Sequence, residues 1–143
     1  KSHVGNVLRP EQNGFISDRN LFNFQAQTLK RLMEKESFVV IGRAADFILK
    51  DEPNVLSVSV QAPHPFCVKT IMELLGCPEK EAESTIEKID RYRADFYRYY
   101  TGRDWNDQTN FDLCLNSERL GDDRLIKLIT EAAKLKFGSV FPK

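Results

Sequence analysis

The sequence is poor in the residues on which many enzyme sites depend. It has two histidines, His3 and His64, and three cysteines, none of which forms a C-x-x-C motif. Neither histidine has a second ligand at metal spacing, so we expect no metal site and no histidine-based triad. We expect the cysteines to be free thiols, which is typical of a cytoplasmic protein. They are Cys67, Cys77 and Cys114.

Glycine-rich phosphate loops are also absent. The 7 glycines are scattered, and neither G-x-x-x-x-G-K-[ST] nor G-x-G-x-x-G occurs in the sequence. These motifs hold phosphate groups through backbone N–H groups that a glycine-rich turn exposes. This chain therefore contains neither of the two common nucleotide-binding loops.

An excess of charge and long apolar runs are missing as well. The chain has 21 Lys and Arg against 21 Asp and Glu, which gives a formal net charge of zero. This balance argues against binding to a nucleic acid polymer or to an anionic membrane surface, although it leaves a local anion site open. No apolar run approaches the roughly 20 residues that span a bilayer.

What is present is an alternation of helical and strand patterns in 143 residues, a length that fits a single domain. We read residues 1–17 as irregular and residues 18–143 as the folded core. Helices between strands predict an α/β fold with a parallel sheet and flanking helices. Because three strands are few for such a sheet, we expect further strands outside this chain. The predicted helices span 19–35, 44–50, 65–75, 78–100 and 122–137, and the predicted strands span 38–41, 56–61 and 111–115.

The run Phe38-Val39-Val40-Ile41 leads directly into Gly42-Arg43. Its β-branched content and shortness predict a strand buried on both faces. Ligands of open α/β folds bind at the carboxyl ends of such strands. Gly42 allows the backbone to approach a ligand, and Arg43 supplies a permanent positive charge. A plain strand, turn and surface arginine is the alternative interpretation.

A second group of charged residues lies on the long predicted helix. Arg91, Asp95 and Arg98 stand at i, i+4 and i+7 and share one helix face. One interpretation is a solvated strip with an Arg91–Asp95 ion pair. The other is a lid whose arginines close over phosphate oxygens, with the aspartate holding a sugar hydroxyl or aiming an arginine. Tyr92, Phe96 and Tyr99 share a different face, which we expect to pack against the rest of the fold.

Four segments in order resemble one family, the cytidylate kinase-like proteins, which are relatives of the nucleoside monophosphate kinases. The resemblance covers roughly residues 18–130, and several motifs in the correct order are more specific than any one alone. The matching segments are Leu21-Phe22-Asn23-Phe24-Gln25, Val40-Ile41-Gly42-Arg43-Ala44-Ala45-Asp46, Tyr99-Tyr100-Thr101-Gly102-Arg103-Asp104-Trp105 and Asn110-Phe111-Asp112-Leu113-Cys114-Leu115-Asn116-Ser117.

The resemblance implies a P-loop kinase-like, three-layer α/β/α fold. It implies transfer of the γ-phosphoryl group of ATP, with Mg²⁺, to a nucleoside monophosphate such as CMP or dCMP. Gly42, Arg43, Asp46 and Asp95 are then the substrate-binding residues. The catalytic residues that stabilise phosphate charge lie on the lid helix, about residues 78–104, and are Arg91, Arg93 and Arg98.

The chain departs from the family pattern at several points. Ala44 stands where cytidylate kinases have an aspartate, and Asp46 is the nearest substitute. Cys67 and Thr70 stand where arginines are expected, with Lys69 as the neighbouring cation. The P-loop and its strand are absent, so we expect the full-length protein to be the active form. A non-catalytic nucleotide-binding or interaction module, or a kinase for another small phosphate acceptor, stays open as an alternative.

Overall fold

Two parallel strands form the sheet in the computed structural model, which describes residues 4–138. Strand β1 (Val58–Gln61) pairs with β2 (Leu113–Asn116) so that Val58 lies opposite Leu113 and Gln61 opposite Asn116. Helices lie between the strands and after each of them, as a parallel connection requires. The predicted α/β class with a parallel sheet and flanking helices is confirmed.

The helices form where the apolar spacing predicts them. The Ser17 hydroxyl caps the first helix by accepting a hydrogen bond from the Asn20 N–H at 3.1 Å. Gly76, with a φ of 63°, ends the third helix in the left-handed conformation that glycine adopts easily. The helices are α1 (Asp18–Met33), α2 (Ala45–Ile48), α3 (His64–Leu75), α4 (Glu79–Thr101), α5 (Ser117–Leu120) and α6 (Asp122–Phe137), with a 3₁₀ turn at Gln108–Asn110.

The register of the two strands is fixed by a polar network at their first residues. The Asp112 carboxylate accepts hydrogen bonds from the Ser57 N–H at 2.9 Å and from the Lys136 ammonium at 2.8 Å. In return, the Asp112 N–H donates to the Ser57 carbonyl at 2.9 Å. Partial burial raises the pKa of Asp112, but the hydrogen bonds from Lys136 and Ser57 outweigh it, so that the pKa lies below its ordinary value.

The chain divides into two compact units. The first comprises residues 4–55 and 95–105, and the second comprises residues 56–94 and 106–138. Helix α4 contributes its last seven residues to the first unit and the rest to the second. The second unit contains the sheet, and its buried apolar side chains are Val68, Ala82, Leu125 and Ala133. A single domain over residues 1–143, with an irregular segment over 1–17, stays a prediction, and residues 1–3 lie outside the described part.

The core of the first unit is aromatic. The Phe22 ring stacks on the Tyr100 ring with centroids 4.2 Å apart, and it meets the Phe96 ring edge-on at 6.2 Å. Such pairs add to the free energy of burying the rings themselves. The buried members of this core are Phe22, Ala26, Ala44, Phe47, Ile48, Leu49, Tyr97 and Tyr100.

Two buried asparagines of α1 hold the segment that precedes the helix. The Asn20 side chain accepts a hydrogen bond from the Leu8 N–H at 2.8 Å and donates one to the Phe15 carbonyl at 2.9 Å. Asn23 accepts from the Gly5 N–H at 2.9 Å. Because buried amides need partners, these bonds order a segment that has no helix or strand of its own.

Residues 38–41 do not form the predicted strand. Val39 is 92% exposed and Ile41 is 91% exposed, and no strand of the described residues pairs with this segment. The prediction of a strand buried on both faces is therefore wrong for the part of the chain that the structure describes. A β-branched run favours extended backbone, but a strand also requires hydrogen bonds from a neighbour, which the local sequence cannot supply.

Candidate functional site

A left-handed turn follows the extended segment. Gly42, Arg43 and Ala44 have φ angles of 71°, 59° and 54°. Glycine adopts this conformation freely, but each residue with a Cβ pays about 1–2 kcal/mol for it. The turn leads into α2, and the Ala45 N–H donates a hydrogen bond to the Gly42 carbonyl at 3.2 Å. Backbone strain of this kind persists only where surrounding packing enforces it, and it is concentrated at functional sites.

The side chain of Arg43 is exposed at this turn. Among residues 4–138, no hydrogen bond or ion pair involves its guanidinium group. A Cβ placed on the neighbouring Gly42 would meet no atom within 4 Å, so the backbone there faces open space. Arg43 is therefore available for a bidentate contact with an external anion such as a phosphate group.

Ala44 and Asp46, the two candidate positions for an aspartate of the family type, lie in different environments. Ala44 is buried in the core of the first unit at 5% exposure, where an unpaired carboxylate would be costly. Asp46 is half-buried, and its Oδ2 accepts a hydrogen bond from the Tyr97 hydroxyl at 2.6 Å. The carboxylate nearest to Arg43 in sequence that can reach solvent is thus that of Asp46.

Tyr97 and Arg103 are two residues of this site that the sequence analysis missed. Burial, followed by the hydrogen bond to Asp46, raises the pKa of Tyr97 well above its ordinary value, and the Arg103 guanidinium opposes this with a smaller effect. Arg103 also lies over the Phe47 ring, with its Cζ 5.2 Å from the ring centroid. One available signal was that Tyr97 and Tyr100 share a helix face; another was that Arg103 lies within a family segment.

The predicted lid residues are all exposed on α4. Arg93 is 3.5 Å from Asp90, which is a weak surface ion pair. In the described part of the chain, Arg91 and Arg98 make no ion pair, and the Arg91–Asp95 pair of the alternative interpretation does not form. Asp95 and Arg98 lie in the first unit with Arg43, Asp46 and Tyr97, whereas Arg91 and Arg93 lie in the second.

The expected packing face of α4 was wrong in part. Tyr92 is 65% exposed and Tyr99 is 63% exposed, while Tyr97 and Tyr100 are buried. Phe96 packs against the aromatic core, and the largely exposed Tyr99 ring meets the core residue Tyr100 edge-on, with centroids 4.9 Å apart. Tyr99 also lies beside Arg19, whose Cζ is 5.0 Å from the Tyr99 ring centroid. The buried face thus places the Tyr97 hydroxyl, and not that of Tyr99, beside Asp46.

The residues of α3 that replace the expected arginines bond to their own backbone. The Thr70 hydroxyl donates to the Phe66 carbonyl at 2.9 Å, and the Cys67 thiol lies 3.7 Å from the Ala62 carbonyl. Lys69 pairs with Glu73 at 3.9 Å, and both side chains are largely exposed. Helix α3 therefore offers one solvated lysine to a phosphate group and no arginine.

The described residues do not build a metal or ATP site. Within residues 4–138, no group of three or more His, Cys, Asp or Glu side chains is arranged to hold a metal ion. The sequence has no glycine-rich phosphate loop. The residues present thus do not fit Mg²⁺ or the phosphates of ATP. Over the same range, no helix has the length and apolar character needed to cross a membrane.

Comparison with known proteins decides the family. The sequence profile of the cytidylate kinase-like family matches residues 2–119, a range that contains every candidate residue described above. The chain belongs to the cytidylate kinase-like family.

Two relatives of the family show how far the similarity extends. A cytidylate kinase of Methanosarcina barkeri (strain Fusaro / DSM 804) is 28% identical over 99 residues, which are 68% of this chain and 54% of that protein. The chain thus spans about half the length of this curated relative. A crystal structure of an uncharacterized protein from Eubacterium ventriosum ATCC 27560 has 32% sequence identity and a TM-score of 0.66, covering 81% of this chain and 67% of that one.

Proposed function

We propose that the full-length protein is a nucleoside monophosphate kinase that uses CMP or dCMP as the acceptor and ATP, with Mg²⁺, as the donor. An oxygen of the acceptor phosphate bonds to the γ-phosphorus of ATP while the bond to the bridging oxygen breaks. The products are ADP and a nucleoside diphosphate. The observation that carries the proposal is the strained Gly42–Arg43–Ala44 turn with its unpaired arginine, in a chain of this family.

Arg43 binds the phosphate of the acceptor in this proposal. Phosphoryl transfer depends on positioning and on neutralising charge, since the protein supplies little covalent chemistry. A guanidinium that already has a protein partner would lose that partner on binding. Arg43 has none among the described residues, and Gly42 leaves room for the ligand beside it.

The lid arginines act on the transferred group. Arg91 and Arg98, with Arg93 as an additional cation, neutralise the charge that spreads over the phosphoryl oxygens. Their exposure supports this role, as does the absence of an ion pair between Arg91 or Arg98 and any other residue of the described range 4–138. Asp95, on the same helix, and Asp46, beside the turn, each accept a hydrogen bond from a hydroxyl or amino group of the nucleoside.

Apart from the lid arginines, which act on the transferred phosphoryl group, no residue of the described chain is assigned to ATP, and none is assigned to Mg²⁺. The donor side requires backbone N–H groups and a metal site that residues 4–138 do not provide. The proposal therefore concerns the acceptor side of the reaction. In it, the arginines of this chain bind the acceptor phosphate and neutralise the charge of the transferred group. We place the full-length protein in the cytoplasm, where its nucleotide substrates are.

A coupled assay of ADP release tests the proposal. The full-length protein is supplied with ATP, Mg²⁺ and one of CMP, dCMP, UMP, AMP or GMP. We expect turnover with CMP or dCMP, and a KM for that acceptor at least about tenfold higher in Arg43→Ala, because a charge-assisted hydrogen bond is lost. The KM for ATP should change little.

Arg31→Ala is the matched control. Arg31 is an exposed arginine in the last turn of α1, in the same unit as Arg43, and makes no hydrogen bond or ion pair with any of residues 4–138. Its removal changes the net charge equally and should leave the KM for CMP unchanged. An enzyme with no turnover on any monophosphate, or an Arg43→Ala variant with wild-type kinetics, would refute the proposal.

One observation favours a non-catalytic nucleotide-binding module as a second candidate. Cys67 and Thr70 replace phosphate-neutralising arginines, and both bond to backbone carbonyls of their own segment. Isothermal titration of CMP into the full-length protein separates the two candidates. Binding of CMP without any turnover in the presence of ATP and Mg²⁺ would establish the binding module.

A further inference from the structure

Tyr97 makes a long-range polar contact that the proposed reaction does not explain. Its hydroxyl donates to Asp46 Oδ2 at 2.6 Å, across a sequence separation of 51 residues. The ring is 4% exposed within the core of the first unit, where a phenol hydroxyl needs a partner. A hydrogen bond from a hydroxyl to a carboxylate is charge-assisted and is stronger than one between neutral groups.

Helix α2, which contains Asp46, is too short to be stable on its own. Helix α2 is a single turn of four residues, Ala45–Ile48, and a helix of this length is not stable alone. Its first residue follows Ala44, whose side chain provides no capping hydrogen bond. The strained φ angles of Arg43 and Ala44 therefore depend on contacts made by the residues after them.

Two kinds of contact fix α2 within the first unit. One is apolar, through Phe47, Ile48 and Leu49, which are all buried in the core. The other is the hydrogen bond from Tyr97 to Asp46. The apolar contacts are non-directional, whereas a hydrogen bond constrains both distance and angle. Backbone hydrogen bonds to the Gly42 and Ala44 carbonyls close the turn itself, and Tyr97 adds a directional side-chain restraint three residues from Arg43.

We propose that Tyr97 is a positioning residue for acceptor binding, which anchors Asp46 and thereby holds the Gly42–Arg43–Ala44 turn in the conformation that presents Arg43 to the phosphate of the monophosphate. The inference rests on the proposed function. Tyr97 does not touch the substrate itself, because its ring is buried and its hydroxyl is engaged by Asp46.

The test is Tyr97→Phe in the full-length protein, with CMP, ATP and Mg²⁺. The substitution keeps the ring and removes one hydroxyl. We expect the KM for CMP to rise about three- to tenfold, with kcat and the KM for ATP within about twofold of wild type. Tyr99→Phe is the matched control, since it removes a hydroxyl from the same helix at a 63% exposed ring, and it should have wild-type kinetics.

Double-mutant cycles separate positioning from a structural role. If Tyr97 acts through Asp46 and Arg43, Tyr97→Phe should raise the KM for CMP no further in the Asp46→Ala or Arg43→Ala background. A residue that only stabilises the fold would lower the unfolding midpoint and leave the KM unchanged in every background. All kinetics are measured below the unfolding midpoint of each variant, so that loss of folded protein does not enter the KM.

The outcomes distinguish the inference from the function on which it rests. If Arg43→Ala raises the KM for CMP and Tyr97→Phe does not, the inference is overturned and the proposed function stands. Additive effects in the cycles overturn it too. If the wild type neither turns over nor binds CMP by calorimetry, the proposed function and the inference both fall.

Discussion

Replacing Arg43 by glycine should make the protein more stable and weaken acceptor binding. The φ angle of Arg43 is 59°, a left-handed conformation that costs a residue with a Cβ about 1–2 kcal/mol. Glycine removes this cost but adds about 0.4–1 kcal/mol of unfolded-state entropy. Because the exposed guanidinium makes no hydrogen bond or ion pair among residues 4–138, its removal costs no interaction of either kind. The net gain in the free energy of unfolding lies between about 0 and 1.6 kcal/mol, with a central value of about 0.8 kcal/mol.

Arg43→Ala is the control that separates strain from charge. Alanine removes the guanidinium but retains the Cβ, so it should leave the free energy of unfolding near that of the wild type. Both variants should weaken CMP binding about 10- to 100-fold, since each loses a charge-assisted hydrogen bond of about 1.5–3 kcal/mol. Stability and affinity should thus change in opposite directions for glycine, and affinity alone should change for alanine.

The measurements are urea unfolding without ligand and calorimetric titration with CMP. The reasoning about strain is refuted if Arg43→Gly is no more stable than Arg43→Ala. The assignment of Arg43 to the acceptor phosphate is refuted if both variants bind CMP like the wild type. Since stability and binding are measured separately, neither result can be mistaken for the other.

Three further predictions concern the stability of the two units. Asn20→Ala should lower the free energy of unfolding by about 1–3 kcal/mol in urea melts, because two hydrogen bonds of a buried side chain are lost, whereas exposed Gln27→Ala should have no effect. Tyr97 should resist ionisation in an ultraviolet titration, because its pKa in the folded protein is raised above the ordinary value of 10.0. The free energy of unfolding should therefore fall as the pH rises past 10.0, since the unfolded chain loses the proton first. The substitution Tyr97→Phe should abolish the part of this pH dependence that comes from Tyr97. Asp112 has the opposite dependence on pH, because its pKa is lowered in the folded protein. Its contribution to the free energy of unfolding is present above about pH 4 and is lost as the pH falls through the folded pKa. The substitution Asp112→Asn should therefore flatten the acid limb of the curve of stability against pH.

Contrary results would identify which premise fails. A Gln27→Ala variant as unstable as Asn20→Ala would mean that α1 is sensitive at every position. A tyrosine that ionises with the exposed ones in the wild type would contradict the burial of Tyr97. An unchanged acid limb in Asp112→Asn would show that the network with Lys136 contributes nothing to stability.

The helices were predictable from sequence because their signals are local. The Ser17 cap, the apolar spacing of α1 and the glycine after α3 act within a few residues of where they stand. The alternation in 56–61 predicted β1 for the same reason. Each of these patterns determines backbone geometry without reference to a distant partner.

The features that the sequence did not reveal all depend on distant residues. Phe38–Ile41 has the composition of a strand, but pairing is decided by another segment. Tyr97 and Tyr99 stand two positions apart on a helix, and the position of the core decides which one is buried. The hydrogen bond from Tyr97 to Asp46 spans 51 residues, so no local pattern could predict it.

The exposed segment before the left-handed turn should influence how a chain of the described residues behaves at high concentration. Residues 37–42 form an uncharged stretch of high β-propensity without proline, the composition that promotes intermolecular sheet formation. Charged side chains flank it, Glu36 on one side and Arg43 on the other, in the manner of gatekeeper residues that limit aggregation. Arg43 would then serve solubility as well as binding, which makes Arg43→Lys, with its charge retained, the substitution that isolates bidentate recognition from colloidal behaviour.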